Sequence, residues 1–249
     1  MSVPSRTFGT PRSLVGNDLL DRVPPAVRTE LLKQSELVAL REEQELFRPG
    51  ASVRRLFFPT TAVCSLLLGL NSGQRAEMGT VGNEGLIGIP TVLGTRATEF
   101  AVVQIPGEAY ALHKQLLKQL LQAHASFNEA LMRYISYAYH MAKQTTVCNA
   151  YHNIDQRLAR WLLTCHDRAR HDRFPITQEL LGHMVAATRP RVTEAAGRLR
   201  SAGVIDYERG LLRIRDRKRL EARACECYAA TRMGLLAARN SRKPREEAE

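Results

Sequence analysis

Between Phe127 and Asn149 the chain runs 23 residues without a glycine or proline. Apolar or small residues fall at Phe127, Leu131, Tyr134, Ala138, Met141, Thr145 and Cys148. Their 4-3-4-3-4-3 spacing predicts one continuous helix with a heptad seam. Such a helix is about 35 Å long, roughly the width of a small domain, so it must act as a spine between the segments on either side. Two partners suit the seam: the chain's own N-terminal part, with Ile135 and Ala142 available for a second face, or a second copy of the helix. A seam left uncovered would be a long exposed apolar stripe. The expectation is therefore a homodimer interface over Phe127, Leu131, Tyr134, Ala138, Met141, Thr145 and Cys148.

Before the spine the pattern is that of strands. Glu45–Phe47, Leu56–Phe58, Ala62–Leu70, Met78–Val81, Phe100–Ile105 and Glu108–Leu112 are short apolar runs separated by Gly, Pro and Asn. Many short strands with frequent turns predict an antiparallel sandwich or barrel. Helical spacing precedes them at Ala26–Leu32, behind Pro24-Pro25, and follows them at His113–Leu121. After the spine come a helix over Ile154–Ala169, a polar linker over 170–175, two helices starting at Thr177 and Arg189, and two short strands, Val204–Tyr207 and Leu211–Ile214. The fold class is thus α+β, divided into a barrel over 14–125, the central helix 126–152, a helical domain over 153–238 and a charged, flexible tail over 239–249.

Charge separates the two ends. Residues 1–150 carry 15 basic and 12 acidic side chains, and residues 151–249 carry 21 and 13, out of a net +11 for the 249-residue chain. A basic C-terminal part on a near-neutral N-terminal part points to a polyanionic partner for one end. With 44% hydrophobic and 24% charged residues the chain has a globular composition. No apolar run reaches the roughly 20 residues that span a bilayer, and Met1–Arg12 lacks the apolar core of a signal peptide. The expected location is the cytoplasm, with no membrane partner.

The segment from Ile176 to Leu199 carries the chemistry. Thr177 suits the cap of a helix with Leu180, Leu181 and Met184 on its inner face, and Thr188 suits the cap of a second helix with Pro190 in its first turn. Val192, Ala196 and Leu199 would bury the second helix on the first. Arg189, Arg191, Thr193, Glu194 and Arg198 are left outward. This is the pattern of a helix-turn-helix whose second helix enters the DNA major groove. An arginine can donate twice to guanine, and a glutamate can accept from cytosine. The hairpin that follows would act as a wing, bringing Arg209 and Arg213 to the phosphates. The candidate DNA-binding residues are Thr177, Gln178, Thr188, Arg189, Arg191, Thr193, Glu194, Arg198 and Arg209.

Thr177, Gly182, Met184-Val185, Thr188-Arg189 and Val192 together resemble the helix-turn-helix of the Crp/Fnr transcription regulators. Gly82-Asn83-Glu84-Gly85-Leu86-Ile87-Gly88 resembles the glycine- and glutamate-bearing turn of that family's cyclic-nucleotide-binding barrel. The resemblance spans barrel, spine, a hinge at Asn153-Ile154-Asp155 and a winged helix. It implies a jelly-roll barrel, a homodimer, a pseudo-palindromic double-stranded DNA site and contact with RNA polymerase. It also implies a small effector, with Gly82, Glu84, Gly85 and Arg96 as candidate ligand residues. The chain departs from the cyclic-nucleotide pattern at Arg96-Ala97-Thr98, where the usual arginine–hydroxyl–alanine order is broken, and at Ala142-Lys143, where cAMP-binding relatives carry hydroxyls. Pro190 also replaces the usual acidic residue of the reading helix.

Other classes fit less well. A protein-binding use of the helix-turn-helix and a redox- or haem-sensing relative are the alternatives. Cys64, Cys148, Cys165, Cys225 and Cys227 are dispersed, whereas an iron–sulfur cluster needs clustered thiolates. Cys225 and Cys227 are too close for the usual zinc knuckle, so no metal site is expected. Cys148, on the seam, could pair with its dimer mate. Dinucleotide turns, Walker loops, nucleophile elbows and metal-protease spacings are all lacking, so no catalytic residues and no enzyme are expected.

Overall fold

The computed structural model describes residues 15–169 and 171–240. The expectations for Met1–Arg12 and for the tail beyond residue 240 lie outside the described residues. Helix α1 (Pro25–Lys33) starts at its proline, as Pro24-Pro25 predicts. Seven strands follow: β1 (Glu36–Leu40), β2 (Glu45–Phe47), β3 (Arg55–Pro59), β4 (Val63–Gly69), β5 (Arg75–Val81), β6 (Phe100–Ile105) and β7 (Gly107–His113). They form two antiparallel sheets, ordered β1-β7-β3 and β2-β6-β4-β5. The short helix α2 (Ile89–Val92) follows the glycine turn. Sequence spacing misses β1, whose residues lack an alternating apolar pattern and stay largely exposed.

Strand β6 explains how the two halves of the molecule meet. Its run Ala101-Val102-Val103-Gln104-Ile105 is buried on both faces. Ala101 and Val103 point into the sandwich core with Cys64, Val81 and Ile87. Val102 and Ile105 join Val63 and Leu67 in a second core shared with the C-terminal half. A continuous rather than alternating apolar strand is what two-sided burial requires.

Helix α3 (Lys114–Ala123) leads into the spine, α4 (Ala125–Tyr151). Helix α5 (Ile154–Ala169) then begins with a reciprocal cap: Gln156 N donates to Asn153 Oδ1 and Asn153 N donates to Gln156 Oε1. Residues 173–175, read in sequence as linker, form strand β8 (Arg173–Pro175) because Phe174 buries its ring in the shared core. Helices α6 (Gln178–Met184) and α7 (Arg189–Ser201) and strands β9 (Ile205–Glu208) and β10 (Leu211–Ile214) follow as predicted, with β8-β10-β9 as one sheet. The chain ends in α8 (Arg217–Glu221) and α9 (Cys227–Asn240). Helix α9 starts in the shared core, where Tyr228 packs and its hydroxyl donates to Asp167 of α5. It folds back along α4, where Gly234 lets it approach; a Cβ there would stand 2.7 Å from the His140 ring.

This packing corrects the seam. Phe127, Leu131, Tyr134, Met141, Thr145 and Cys148 are buried within one chain, and Ala138 is half-buried. The first four pack among Leu56, Phe58, Leu86 and Leu112 of the barrel. Heptad spacing reports that a stripe is buried but not by what. The outer face of α4 instead exposes Met132, Tyr139, Val147 and Tyr151, at 41%, 65%, 48% and 83%.

Candidate nucleic-acid interface

Helices α6 and α7 are joined by a tight turn. Ala186 adopts a positive φ of 48°, and Ala187 N donates to the Gly182 carbonyl at 3.0 Å. A Cβ on Gly182 would press to 2.9 Å from the Ala187 carbonyl, so the residue must be glycine for the helices to cross here. Thr177 caps α6, its hydroxyl accepting from Leu180 N at 3.2 Å. Thr188 occupies the equivalent position on α7 but makes no side-chain cap, which corrects the expectation from sequence.

The outward residues of α7 divide between two faces. Arg189, Thr193, Gly197 and Arg200 border a cleft of about 490 Å³ closed on the other side by Gln178, Tyr207 and the wing residue Arg209. Gln178 Oε1 accepts from Thr193 Oγ1 at 3.1 Å and from Arg189 Nε at 3.5 Å, so α6 holds two side chains of α7 in place. Tyr207 Oη donates to the Ile176 carbonyl at 2.9 Å, fixing the wing against the start of α6. Arg191, Glu194 and Arg198 lie around the other side, beside Asn153, Asp155 and Arg157. Arg198 is already engaged there, donating to both Asp155 oxygens at 2.7 and 2.5 Å. It therefore braces α7 to the hinge. Arg209 sits at the tip of the hairpin with φ 51°, exposed.

Residues 156–223 match the Crp-like helix-turn-helix domain. The whole fold is similar to solved structures of that kind. FixK2 from Bradyrhizobium japonicum is 15% identical, with a TM-score of 0.66 over 77% of this chain and 98% of that one. The c-di-GMP-responsive global regulator CLP from Xanthomonas campestris is 14% identical, with a TM-score of 0.63 over 77% and 99%. A Crp/Fnr-family regulator from Thermus thermophilus is 20% identical, with a TM-score of 0.60 over 76% and 98%. No curated protein sequence matches the chain significantly. Residues 156–223 are thus a Crp-like helix-turn-helix domain, and the fold as a whole is similar to those structures.

The glycine turn of the barrel is not an open cradle. Glu84 is buried and paired with Arg168 of α5, whose Nε lies 2.8 Å from Oε1. Its other oxygen accepts from Gly82 N at 3.1 Å. A Cβ on Gly82 would meet Arg168 at 2.8 Å, and one on Gly85 would overlap the Tyr134 ring at 1.9 Å. These glycines make room for the chain's own side chains. Arg168 also donates to Tyr137 Oη at 3.3 Å, and burial pushes the Tyr137 hydroxyl up to about 12. Burial opposes the charge on Arg168, but Glu84 more than offsets this and holds the guanidinium above its ordinary value. Arg96 is elsewhere, exposed and donating to the Gly50 carbonyl at 2.6 Å. The grouping of Gly82, Glu84, Gly85 and Arg96 as one ligand site is thus corrected. A cavity of about 260 Å³ does open beside Glu84, bordered by Arg22, Arg133, Tyr134, Tyr137 and Arg239.

Two further expectations change. Cys148 faces Cys225 at 3.5 Å inside its own chain, which removes it as a partner for a dimer mate. The expectation of no metal-binding group also fails on geometry, since Cys148, His152, Cys225 and Cys227 converge. Sequence spacing does not reveal this set because Cys148 and Cys225 are 77 residues apart. No described helix is long and apolar enough to cross a membrane.

Proposed function

We propose that the protein is a homodimeric, sequence-specific regulator of transcription whose helix α7 reads the major groove. The observation that carries this is the ordered face of Arg189 and Thr193, held by Gln178 and opposed by Arg209 across the cleft. Arg189 is the guanine reader, Thr193 and Gln178 are its positioning partners, and Arg209 and Arg213 of the wing are phosphate contacts. Thr177 and Thr188 lie at the edge of this face, and Arg191 and Glu194, on the other side of α7, are further DNA contacts. Two such heads related by a two-fold axis need half-sites about 34–36 Å apart. The uncovered α4 stripe of Met132, Tyr139, Val147 and Tyr151 supplies the surface on which two chains meet. DNA-bound dimers would act on RNA polymerase in the cytoplasm.

The barrel's part in this is effector sensing. A filled glycine turn argues against a cyclic nucleotide seated there. The adjoining cavity, with Arg22, Arg133 and Arg239 at its rim, suits a small anion.

Fluorescence anisotropy with DNA from upstream of the coding region, over a salt series and against random DNA, tests the reading. Specific binding with a steep salt dependence supports it. Specific and random DNA bound alike, with or without cAMP, cGMP or cyclic di-GMP, would overturn the assignment of α7 as reader.

A further inference from the structure

The end of α4, with its C-cap His152, and the start of α9, with Cys225 two residues before it, bring four soft ligand atoms to one point. Sγ of Cys148, Cys225 and Cys227 and a ring nitrogen of His152 all lie within 4.8 Å of one another. Cys148 and Cys225 are 3.5 Å apart, as are Cys227 Sγ and His152 Nδ1. The three sulfurs form a small buried cluster separate from the other cores. We propose that Cys148, His152, Cys225 and Cys227 bind one Zn2+ per chain in a closed Cys3His site.

The dimensions suit a single ion. Zn–S bonds of about 2.3 Å and Zn–N bonds of about 2.0–2.1 Å imply tetrahedron edges of about 3.5–3.8 Å, so only small adjustments are needed. In an iron–sulfur cluster the ligands on different iron atoms stand farther apart than these four, which all lie within 4.8 Å of one another. Three thiolates and one imidazole in tetrahedral array are a donor set that selects zinc among common divalent ions.

The surroundings are arranged as a metal's outer shell. His152 presents Nδ1 to the cluster while Nε2 lies 3.2 Å from Glu226, the carboxylate–imidazole contact that fixes a ligand histidine. Gln144 Nε2 donates to Cys227 Sγ at 3.0 Å, an N–H···S bond that favours the thiolate. Three thiolates around Zn2+ leave one net negative charge. Arg157 and Arg160, on the first turns of α5 just beyond His152, each have a buried Nε without a hydrogen-bond partner.

On binding, the three thiols release their protons to solvent and His152 contributes its neutral Nδ1 lone pair, with the Nε2 proton held towards Glu226. No electron transfer is involved. With four protein ligands the ion has no open position, so its role is structural. It ties the C-terminal helix to the end of the spine at the residue just before the Asn153 hinge, fixing where α5 and the reading head depart from α4.

The test is Co2+ titration of the full-length protein, stripped with chelator and kept reduced from lysis onward. Saturation at one Co2+ per chain, with thiolate-to-cobalt charge transfer and intense tetrahedral visible bands that Zn2+ abolishes, is expected. Cys64→Ser, at a residue remote from the cluster, should leave the spectrum unchanged, and Cys227→Ser should lose charge-transfer intensity. Glu226→Gln, an exposed change, should weaken affinity about 10–100-fold. Weak octahedral bands, no saturable binding, or a Cys148–Cys225 disulfide in the reduced preparation would each overturn the proposal. These readouts on the unmodified protein decide the matter even if a cysteine variant fails to fold.

Discussion

Arg168 Nε lies 2.8 Å from the Glu84 carboxylate, joining the last turn of α5 to the tip of the barrel's glycine turn. Both side chains are buried, at 7% and 3% exposure. The pair therefore fixes the first helix of the DNA-binding half on the sheet domain, over the core that Val63, Leu67, Val102 and Ile105 share with α5. A filled barrel turn and a docked reading head are two consequences of one ion pair.

Removing one partner should be costly. Glu84→Gln leaves a buried guanidinium without its counter-charge, and the expected loss is about 3–5 kcal/mol. Urea unfolding of Glu84→Gln, Arg168→Met and the double variant would measure it. The double variant should recover part of the loss, because no charge is then left unpaired. Single variants as stable as the parent would mean that the pair contributes nothing to docking.

Much of this architecture is legible in the residues. β6 is read as a strand from its apolar run, α5 is bounded by Asn153 and Ala169, and α7 starts at Arg189 as its turn and Pro190 predict. Periodicity and capping are local signals, and these elements obey them. What spacing cannot convey is which surface covers a buried stripe. Tyr134 and Met141 carry the same heptad signature whether a barrel or a second helix faces them. Glu84 has the neighbours of a ligand residue, and its partner lies 84 positions away. Cys148 and Cys225 look dispersed because α9 returns along α4, a long-range contact with no sequence motif. Helix α9 is not legible as an element of its own: its residues up to 238 read as part of the DNA-binding domain and the last two as the start of the tail.

The reading face should respond residue by residue. Arg189→Ala is expected to cost about 1–3 kcal/mol on the preferred site and little on random DNA, since a bidentate base contact is lost. Arg209→Ala should weaken binding to all sequences alike and lower the salt slope by about one. Anisotropy on both DNAs separates the two. Equal losses for Arg189→Ala on specific and random DNA would reduce it to a phosphate contact.

Substitutions on the two faces of α4 should behave oppositely. Tyr139→Glu and Val147→Glu place charges on the uncovered outer stripe, and sedimentation should show monomers with parental thermal stability. Met141→Glu instead forces a carboxylate beneath Gly79, whose Cβ position is 3.3 Å from the Met141 methyl. It should lower the unfolding temperature whatever the assembly state. Dimers persisting in both outer-face variants would move the interface off α4.

Glu77 makes stability depend on pH. It is buried with Ser65, Thr80 and Gln104 where β4, β5 and β6 meet α5, and desolvation raises its pKa above the ordinary value against the hydrogen bonds of Ser65 and Thr80. Ser65 Oγ stands 2.6 Å from Glu77 Oε1 and 2.8 Å from Gln104 Oε1 yet has one proton to donate. A protonated Glu77 can donate to Ser65, freeing the serine proton for Gln104. Because the folded pKa is raised, the native state binds more protons than the unfolded one above pH 4.5. The stabilising contribution is therefore complete below that pH and is lost as pH rises through the folded value. Glu77→Gln keeps a neutral group of the same shape and removes the titration. Urea midpoints from pH 4.5 to 8 should fall with pH in the parent more than in the variant, so Glu77→Gln gains relative stability towards neutrality. Parallel curves would show that Glu77 titrates alike in both states.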